Sequence, residues 1–183
     1  MSWRVVIPFK GPGARKTRLS QSLSDHERDA AALRMFHHVA EVVRTTSSVR
    51  EFAVLSDSRP AGWEGPLLED RGLGLNAELQ AIRDSAMGER LLILHADLPH
   101  LRPHDIAALI GGAERSGVAI APDRREVGTN AIALLENMPF RFEFGAASFR
   151  PHLRQAPKAM IVRTPTLGLD IDTPEDLALA AID

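Results

Sequence analysis

Three aspartates and one run of cations carry the chemical signal in this sequence. Asp170 and Asp172 stand two apart in Gly168-Leu169-Asp170-Ile171-Asp172-Thr173, so in an extended segment both carboxylates point to one side. Asp97 closes His95-Ala96-Asp97, directly after the apolar run Leu91 to Leu94. Two or three carboxylates at strand ends suit magnesium, which takes oxygen ligands octahedrally and shares them with substrate phosphates. Taken singly, Asp172 is equally a helix cap ahead of Pro174, and Asp97 a loop turn. The loop Lys10 to Arg18 decides between these readings: it holds four cations, two glycines and no acid. Glycine-rich backbone beside a strand lets N–H groups and cationic heads converge on phosphates. Lys10, Lys16 and Arg18 are therefore the candidate catalytic cations, against the plainer alternative of a solvated basic loop. Lys16-Thr17 echoes the end of a Walker loop, but Lys10 and Arg15 stand where that motif requires glycine.

Other motifs are weaker. Gly72-Leu73-Gly74-Leu75-Asn76-Ala77 satisfies G-x-G-x-x-A, and Asp97 lies 20 residues beyond Ala77, close to a dinucleotide-binding fingerprint. The strand before it is short and starts at Pro66, and a dehydrogenase would use neither the basic loop nor the late aspartate pair. The same glycines suit close approach to a purine or a simple turn; on the former reading Asp70, Gly72, Gly74 and Asn76 bind the nucleotide. His95, His100 and His104 invite zinc, yet Pro99 and Pro103 interrupt any helix that would align the last two. Gly128-Thr129-Asn130 and Gly145 to Ser148 offer small donors beside Asp123-Arg124, a set able to hold a small phosphorylated carboxylic acid. A turn and a helix cap explain the same residues.

Composition excludes several classes. The 183 residues are 44% hydrophobic and 25% charged, with a net charge of −2, which fits a globular chain and gives no bulk attraction to nucleic acid or an anionic membrane. No cysteine is present, which removes thiol nucleophiles and cysteine-based metal sites. Val5-Val6-Ile7 is too short for a secretory core and no apolar run reaches the roughly 20 residues of a span, so a cytoplasmic location is expected. The small net charge conceals a division. Residues 1–18 carry five cations and no acid, and residues 165–183 five acids and no cation.

The elements that must position these residues alternate. Strands are expected at Trp3 to Ile7, Phe52 to Leu55, Pro66 to Glu69, Leu91 to Leu94, Val118 to Ala121, Ala131 to Leu135 and Met160 to Val162. Ser24-Asp25-His26-Glu27 is a capping box, followed by apolar residues from Ala32 to Val43 at helical spacing. Asn76 is expected to cap a helix reaching Met87, Pro103 to open one stopped by Gly111-Gly112 or Gly117, and Ser148 to cap one through Leu153. Thr173-Pro174-Glu175-Asp176 starts the last. This predicts a single domain over 1–183, a three-layer α/β/α fold with a mainly parallel mixed sheet, whose strand ends bind ligands.

Taken together, the segments resemble the 2-phospho-L-lactate guanylyltransferase family of deazaflavin coenzyme F-420 biosynthesis, which includes phosphoenolpyruvate guanylyltransferases. The resemblance is carried by Val6-Ile7-Pro8-Phe9-Lys10 with Lys16-Thr17-Arg18-Leu19; Asp70-x-Gly72-x-Gly74-Leu75-Asn76; His95-Ala96-Asp97-Leu98-Pro99; Pro122-Asp123-Arg124 with Gly128-Thr129-Asn130-Ala131; Phe144-Gly145-x-x-Ser148-Phe149-x-x-His152; and Gly168 to Leu177. Gly11-Pro12-Gly13 departs from the bulkier residues more usual there. The resemblance implies a nucleotide-diphospho-sugar transferase-like (Rossmann-like) fold shared with molybdopterin guanylyltransferases. It implies magnesium on Asp97, Asp170 and Asp172, the phosphoacid on Thr129, Gly145 and Ser148, and GTP as the nucleotide; a homodimer is left open. The implied reaction transfers GMP to 2-phospho-L-lactate, phosphoenolpyruvate or 3-phosphoglycerate and releases pyrophosphate. A sugar-phosphate or molybdopterin nucleotidyltransferase and a non-catalytic nucleotide-binding module are the competing readings.

Overall fold

The computed structural model describes residues 2–11, 19–20, 22–86 and 88–180. Its sheet contains β1 (Trp3–Pro8), β2 (Val49–Ser56), β3 (Leu67–Glu69), β4 (Leu91–Leu94), β5 (Val118–Pro122), β6 (Thr129–Leu134) and β7 (Met160–Ile161). The spatial order is β3-β2-β1-β4-β6-β5-β7. Every neighbouring pair is parallel except the two made by β6, which runs antiparallel to β4 and β5. The helices are α1 (Asp25–Thr45), α2 (Leu75–Ser85), α3 (Pro103–Ser116), α4 (Phe149–Gln155), α5 (Pro165–Gly168) and α6 (Pro174–Ala180). None of the described helices is long and apolar enough to cross a membrane.

Strand alternation makes the layers. Val5, Ile7, Leu92 and Leu94 pack with Phe36 and Val39 of α1 and Ile106 and Leu109 of α3. Their neighbours Val6, Leu91 and Ile93 face the other way, toward Leu79 of α2, Phe149 of α4 and the Phe140, Phe142 and Phe144 side chains. Both faces are covered, which is why β4 reads as an unbroken apolar run rather than an alternating one. The expected three-layer, mainly parallel architecture is thus the one observed.

Local signals account for most boundaries. Ser24 and Glu27 make the capping box reciprocally: Ser24 Oγ accepts from the Glu27 N–H, and the Glu27 carboxylate accepts from the Ser24 N–H. Thr173 caps α6 by accepting from the Asp176 N–H. Of the two stops expected for α3 the second is the one used, and the start of β6 and the cap of α2 need correction. α3 carries Gly111-Gly112 inside it and stops only at Gly117. β6 begins at Thr129, two residues before the expected strand. Gly74, with φ of 90°, and not Asn76, is the N-cap of α2, because the Asn76 side chain is committed elsewhere.

Candidate active site

The reversal of β6 shapes the site. An antiparallel strand places its first residues beside the last residues of its parallel neighbours, so Thr129 and Asn130 lie next to the end of β4. Ala131 pairs with Leu94, and the His95 N–H donates to the Asn130 carbonyl at 3.0 Å. The Asp97 loop follows immediately.

The late aspartates reach the same place through two bridges. The Ile171 N–H donates to the Asp97 carbonyl at 3.3 Å, with the Ile171 side chain buried in a cluster with Leu19, Met35 and Leu169. The Asn130 amide donates to the Leu167 carbonyl at 3.1 Å and to Asp170 Oδ1 at 3.3 Å. As a result one carboxylate oxygen each from Asp97, Asp170 and Asp172 lies within 4.8 Å of the other two. Such crowding has an electrostatic cost. Burial first, and the Asp97 carboxylate second, push Asp170 up to about 6, although the Asn130 amide pulls it the other way. An all-oxygen, three-carboxylate set of this size fits a hard divalent cation, whose charge would reverse that repulsion.

Asp176 braces this segment. Its Oδ2 accepts from the Asp172 and Thr173 N–H groups and the Thr173 hydroxyl, and its Oδ1 accepts from Arg124 Nε at 3.1 Å and Nη2 at 2.6 Å. Burial alone would raise the Asp176 carboxyl, but Arg124 and these donors hold it below its ordinary value. Arg124 therefore serves as a strut to the segment carrying Asp172. Asp123 also serves the structure around it. Its carboxylate accepts from the Arg125, Val127 and Gly128 N–H groups and closes its own turn.

Thr129, at the start of β6 beside Asn130, is joined through His152 to α4, whose N-cap is Ser148. Thr129 and Ser148 are buried, while Gly145 is exposed and has φ of 137°, a conformation that favours glycine. Ser148 occupies the N-cap position of α4, but its side chain makes no capping bond. His152, fully buried, touches this group through both ring nitrogens: Nδ1 lies 3.0 Å from Thr129 Oγ1, and Nε2 accepts from the Glu143 N–H at 2.9 Å. Burial, and secondarily His95, pull its pKa down to about 4, so the ring is neutral.

The glycine loop is organised from within. Asp70 Oδ1 accepts from the Gly72 N–H, and the buried Glu78 takes the Arg71 and Leu73 N–H groups and the Arg71 guanidinium. Asn76 spans to the neighbouring segment, with Nδ2 donating to the Phe144 carbonyl at 2.9 Å and Oδ1 accepting from the Phe144 N–H at 2.7 Å. Each end of its amide makes one bond, and Asn76 thereby ties the glycine loop to the Phe144–Ser148 segment. Lys10 is exposed just beyond β1, while Lys16 and Arg18 lie outside the described residues. Glu78, Asp176 and His152 are residues to which motif reading gives no part in the site. His152 stands inside Ser148-Phe149-x-x-His152 and Asp176 inside the segment from Gly168 to Leu177, so of the three Glu78 alone lies outside a motif.

Residues 3–182 match the family model described as "Guanylyl transferase CofC like". The chain belongs to that family. A phosphoenolpyruvate guanylyltransferase of Rubrobacter xylanophilus is 36% identical, with 97% of this chain and 93% of that protein covered. A 2-phospho-L-lactate guanylyltransferase of Methanopyrus kandleri is 32% identical, covering 98% and 91%. Among solved structures, a protein from Desulfovibrio desulfuricans described as a nucleotide-diphospho-sugar transferase superposes with a TM-score of 0.74 at 17% identity, over 98% of this chain and 86% of that one. CMP:2-keto-3-deoxy-manno-octonic acid synthetase in complex with CTP gives 0.60 at 15% identity, over 100% and 98%. These two likenesses concern the fold, and the family assignment supplies the guanylyltransferase class.

Proposed function

We propose that this protein transfers GMP from GTP to a small phosphorylated carboxylic acid and releases pyrophosphate, in the biosynthesis of deazaflavin coenzyme F-420. An acceptor such as 2-phospho-L-lactate, phosphoenolpyruvate or 3-phosphoglycerate presents an ionised phosphate. One of its oxygens attacks the α-phosphorus of GTP, the bond from that phosphorus to the bridging oxygen breaks, and pyrophosphate leaves with the electron pair. The nucleophile needs no base, which agrees with the absence of cysteine from the sequence and with the buried, neutral state of His152. Positioning and charge neutralisation are what remain to be supplied.

The observation that carries the reading is the adjacency, across Asn130, of a three-carboxylate cluster and a set of neutral donors, in a chain of a guanylyltransferase family. Asp97, Asp170 and Asp172 would hold the divalent cation, taken as magnesium, which when bound offsets the negative charge of the phosphates. Thr129, Gly145 and Ser148 would receive the phosphoacid, the glycine loop from Asp70 to Gly74 would receive the nucleotide, and Lys10, Lys16 and Arg18 would neutralise its phosphate chain. Asn130 and Arg124 orient the aspartates. The cytoplasm is the compartment this reading assumes.

Pyrophosphate release from GTP, measured with each of the three phosphoacids in turn, tests it. Release that depends on one of them supports the assignment. Release only with a sugar phosphate or a pterin phosphate would transfer the protein to another branch of nucleotidyltransferases, and GTP binding without turnover would make it a binding module.

A further inference from the structure

His152 touches all three segments that the proposed phosphoacid site draws on. Its Nδ1 faces Thr129 Oγ1 at 3.0 Å, its Nε2 accepts from the N–H of Glu143, two residues before Gly145, and its own N–H donates to the Ser148 carbonyl at 3.1 Å. These residues come from β6, from the segment ahead of α4, and from α4 itself. The ring packs against Phe140 and Phe144, with centroids 5.5 and 5.0 Å away, so it cannot turn to exchange partners without repacking the aromatic cluster.

The hydrogen bonds fix the tautomer. A backbone N–H can only donate, so Nε2, facing the Glu143 N–H, is bare. The single ring proton of a neutral imidazole is then on Nδ1 and is donated to Thr129 Oγ1. Thr129, accepting there, keeps its own hydroxyl proton for another acceptor. Protonating Nε2 would set two donors face to face, and the ring's fall to about 4 agrees with that.

We propose that His152 is a positioning residue for the phosphoacid: from a buried, neutral ring it commits the Thr129 hydroxyl to donate to the anion and holds the Gly145 and Ser148 segments around it. The inference rests on the guanylyltransferase reading and extends it to a residue that does not itself touch substrate.

The test is steady-state pyrophosphate release by wild type, H152N, H152Q and H152F with GTP and the preferred phosphoacid. Asn keeps a donor near Thr129, Gln keeps an acceptor near the Glu143 N–H, and Phe keeps neither. The KM for the phosphoacid should rise about tenfold or more in H152F and less in H152N and H152Q, while the KM for GTP moves by less than about twofold, the size of change seen when outer supports of a site are removed. Equal increases in both KM values, or wild-type constants in all three variants, would overturn the proposal. Lack of turnover by wild type with every phosphoacid would instead remove the guanylyltransferase reading, and this proposal with it. Should the variants not fold, nitrogen-15 NMR of the wild-type imidazole decides: the Nδ1–H tautomer, with a shift that responds to added phosphoacid, supports the proposal, and an Nε2–H tautomer refutes it.

Discussion

The two sides of Asn130 solve opposite electrostatic problems. On one side Asp97, Asp170 and Asp172 are pressed together, and Asp170 is raised to about 6 by burial and its neighbour Asp97. On the other, Thr129, His152 and the Glu143 N–H form a neutral chain in which the ring's donor and acceptor are both satisfied. The first region is held together against its own charge by Asp176, Arg124 and the Ile171 N–H, and on the proposed function would gain from a bound cation. The second is complete without a ligand and presents oriented donors. On the proposed function the site receives both a nucleotide with its cation and an anionic acceptor, and neutral donors suit the acceptor because a cationic pocket there would compete with the metal for the aspartates.

The largest expected effect comes from removing a carboxylate. Asp97→Asn should lower pyrophosphate release by two to three orders of magnitude, on the order of 3–4 kcal/mol of transition-state stabilisation. Thermal unfolding of the metal-free variant should occur at the same temperature as wild type or higher, since a repulsion is relieved. A variant that loses activity and stability together would break the contrast drawn between the two regions.

Next in size is Asp176→Asn, which keeps the shape of the brace and removes its charge. Calorimetric titration with magnesium should show affinity reduced about 10-fold or more, as is typical when a supporting group is altered. Unchanged affinity would mean that Asp176 braces the fold and not the aspartates. Asn76→Ala removes both bonds to the Phe144 backbone and should cost about 1–3 kcal/mol by chemical denaturation. An undiminished stability would show that the glycine loop and the Phe144–Ser148 segment stand independently.

The smallest effect is on pH dependence, where the two regions oppose each other. His152 falls from 6.5 to about 4, so its share of the folding free energy is present above 6.5 and is lost as the pH falls toward 4. Asp170 rises from 3.8 to about 6, so its share is present below 3.8 and is lost as the pH rises through 6. Acidifying the metal-free protein from 6.5 to 4 should change its stability little. H152Q should become more stable over that interval and Asp170→Asn less stable, both measured by denaturant midpoints. Slopes of the same sign in the two variants would contradict the assignment of these groups.

Much of this architecture was legible because it rests on local chemistry. The capping box at Ser24 and the continuous apolar run of β4 each state their role within a few residues, and the Asp170-x-Asp172 spacing states that the two carboxylates lie close together. What escaped depends on partners far along the chain. The ion pair of Arg124 with Asp176 spans 52 residues and the bond of Asn76 to Phe144 spans 68, so neither tie can be read from local spacing. Asp123 illustrates another limit: an acid in a turn serves its own backbone as readily as a ligand. The alternation Phe140-Arg141-Phe142-Glu143-Phe144 buries every second residue and encloses His152. That pattern was available in the sequence, but only the return of α4 against it gives it meaning.

The most direct test of the central claim is the mass of the product formed from GTP and phosphoenolpyruvate or 2-phospho-L-lactate in the presence of magnesium. The account predicts GMP joined to the phosphoacid through a diphosphate, with one pyrophosphate released per product. Release of inorganic phosphate, or recovery of GTP unchanged with every phosphoacid while another acceptor is guanylylated, would contradict it.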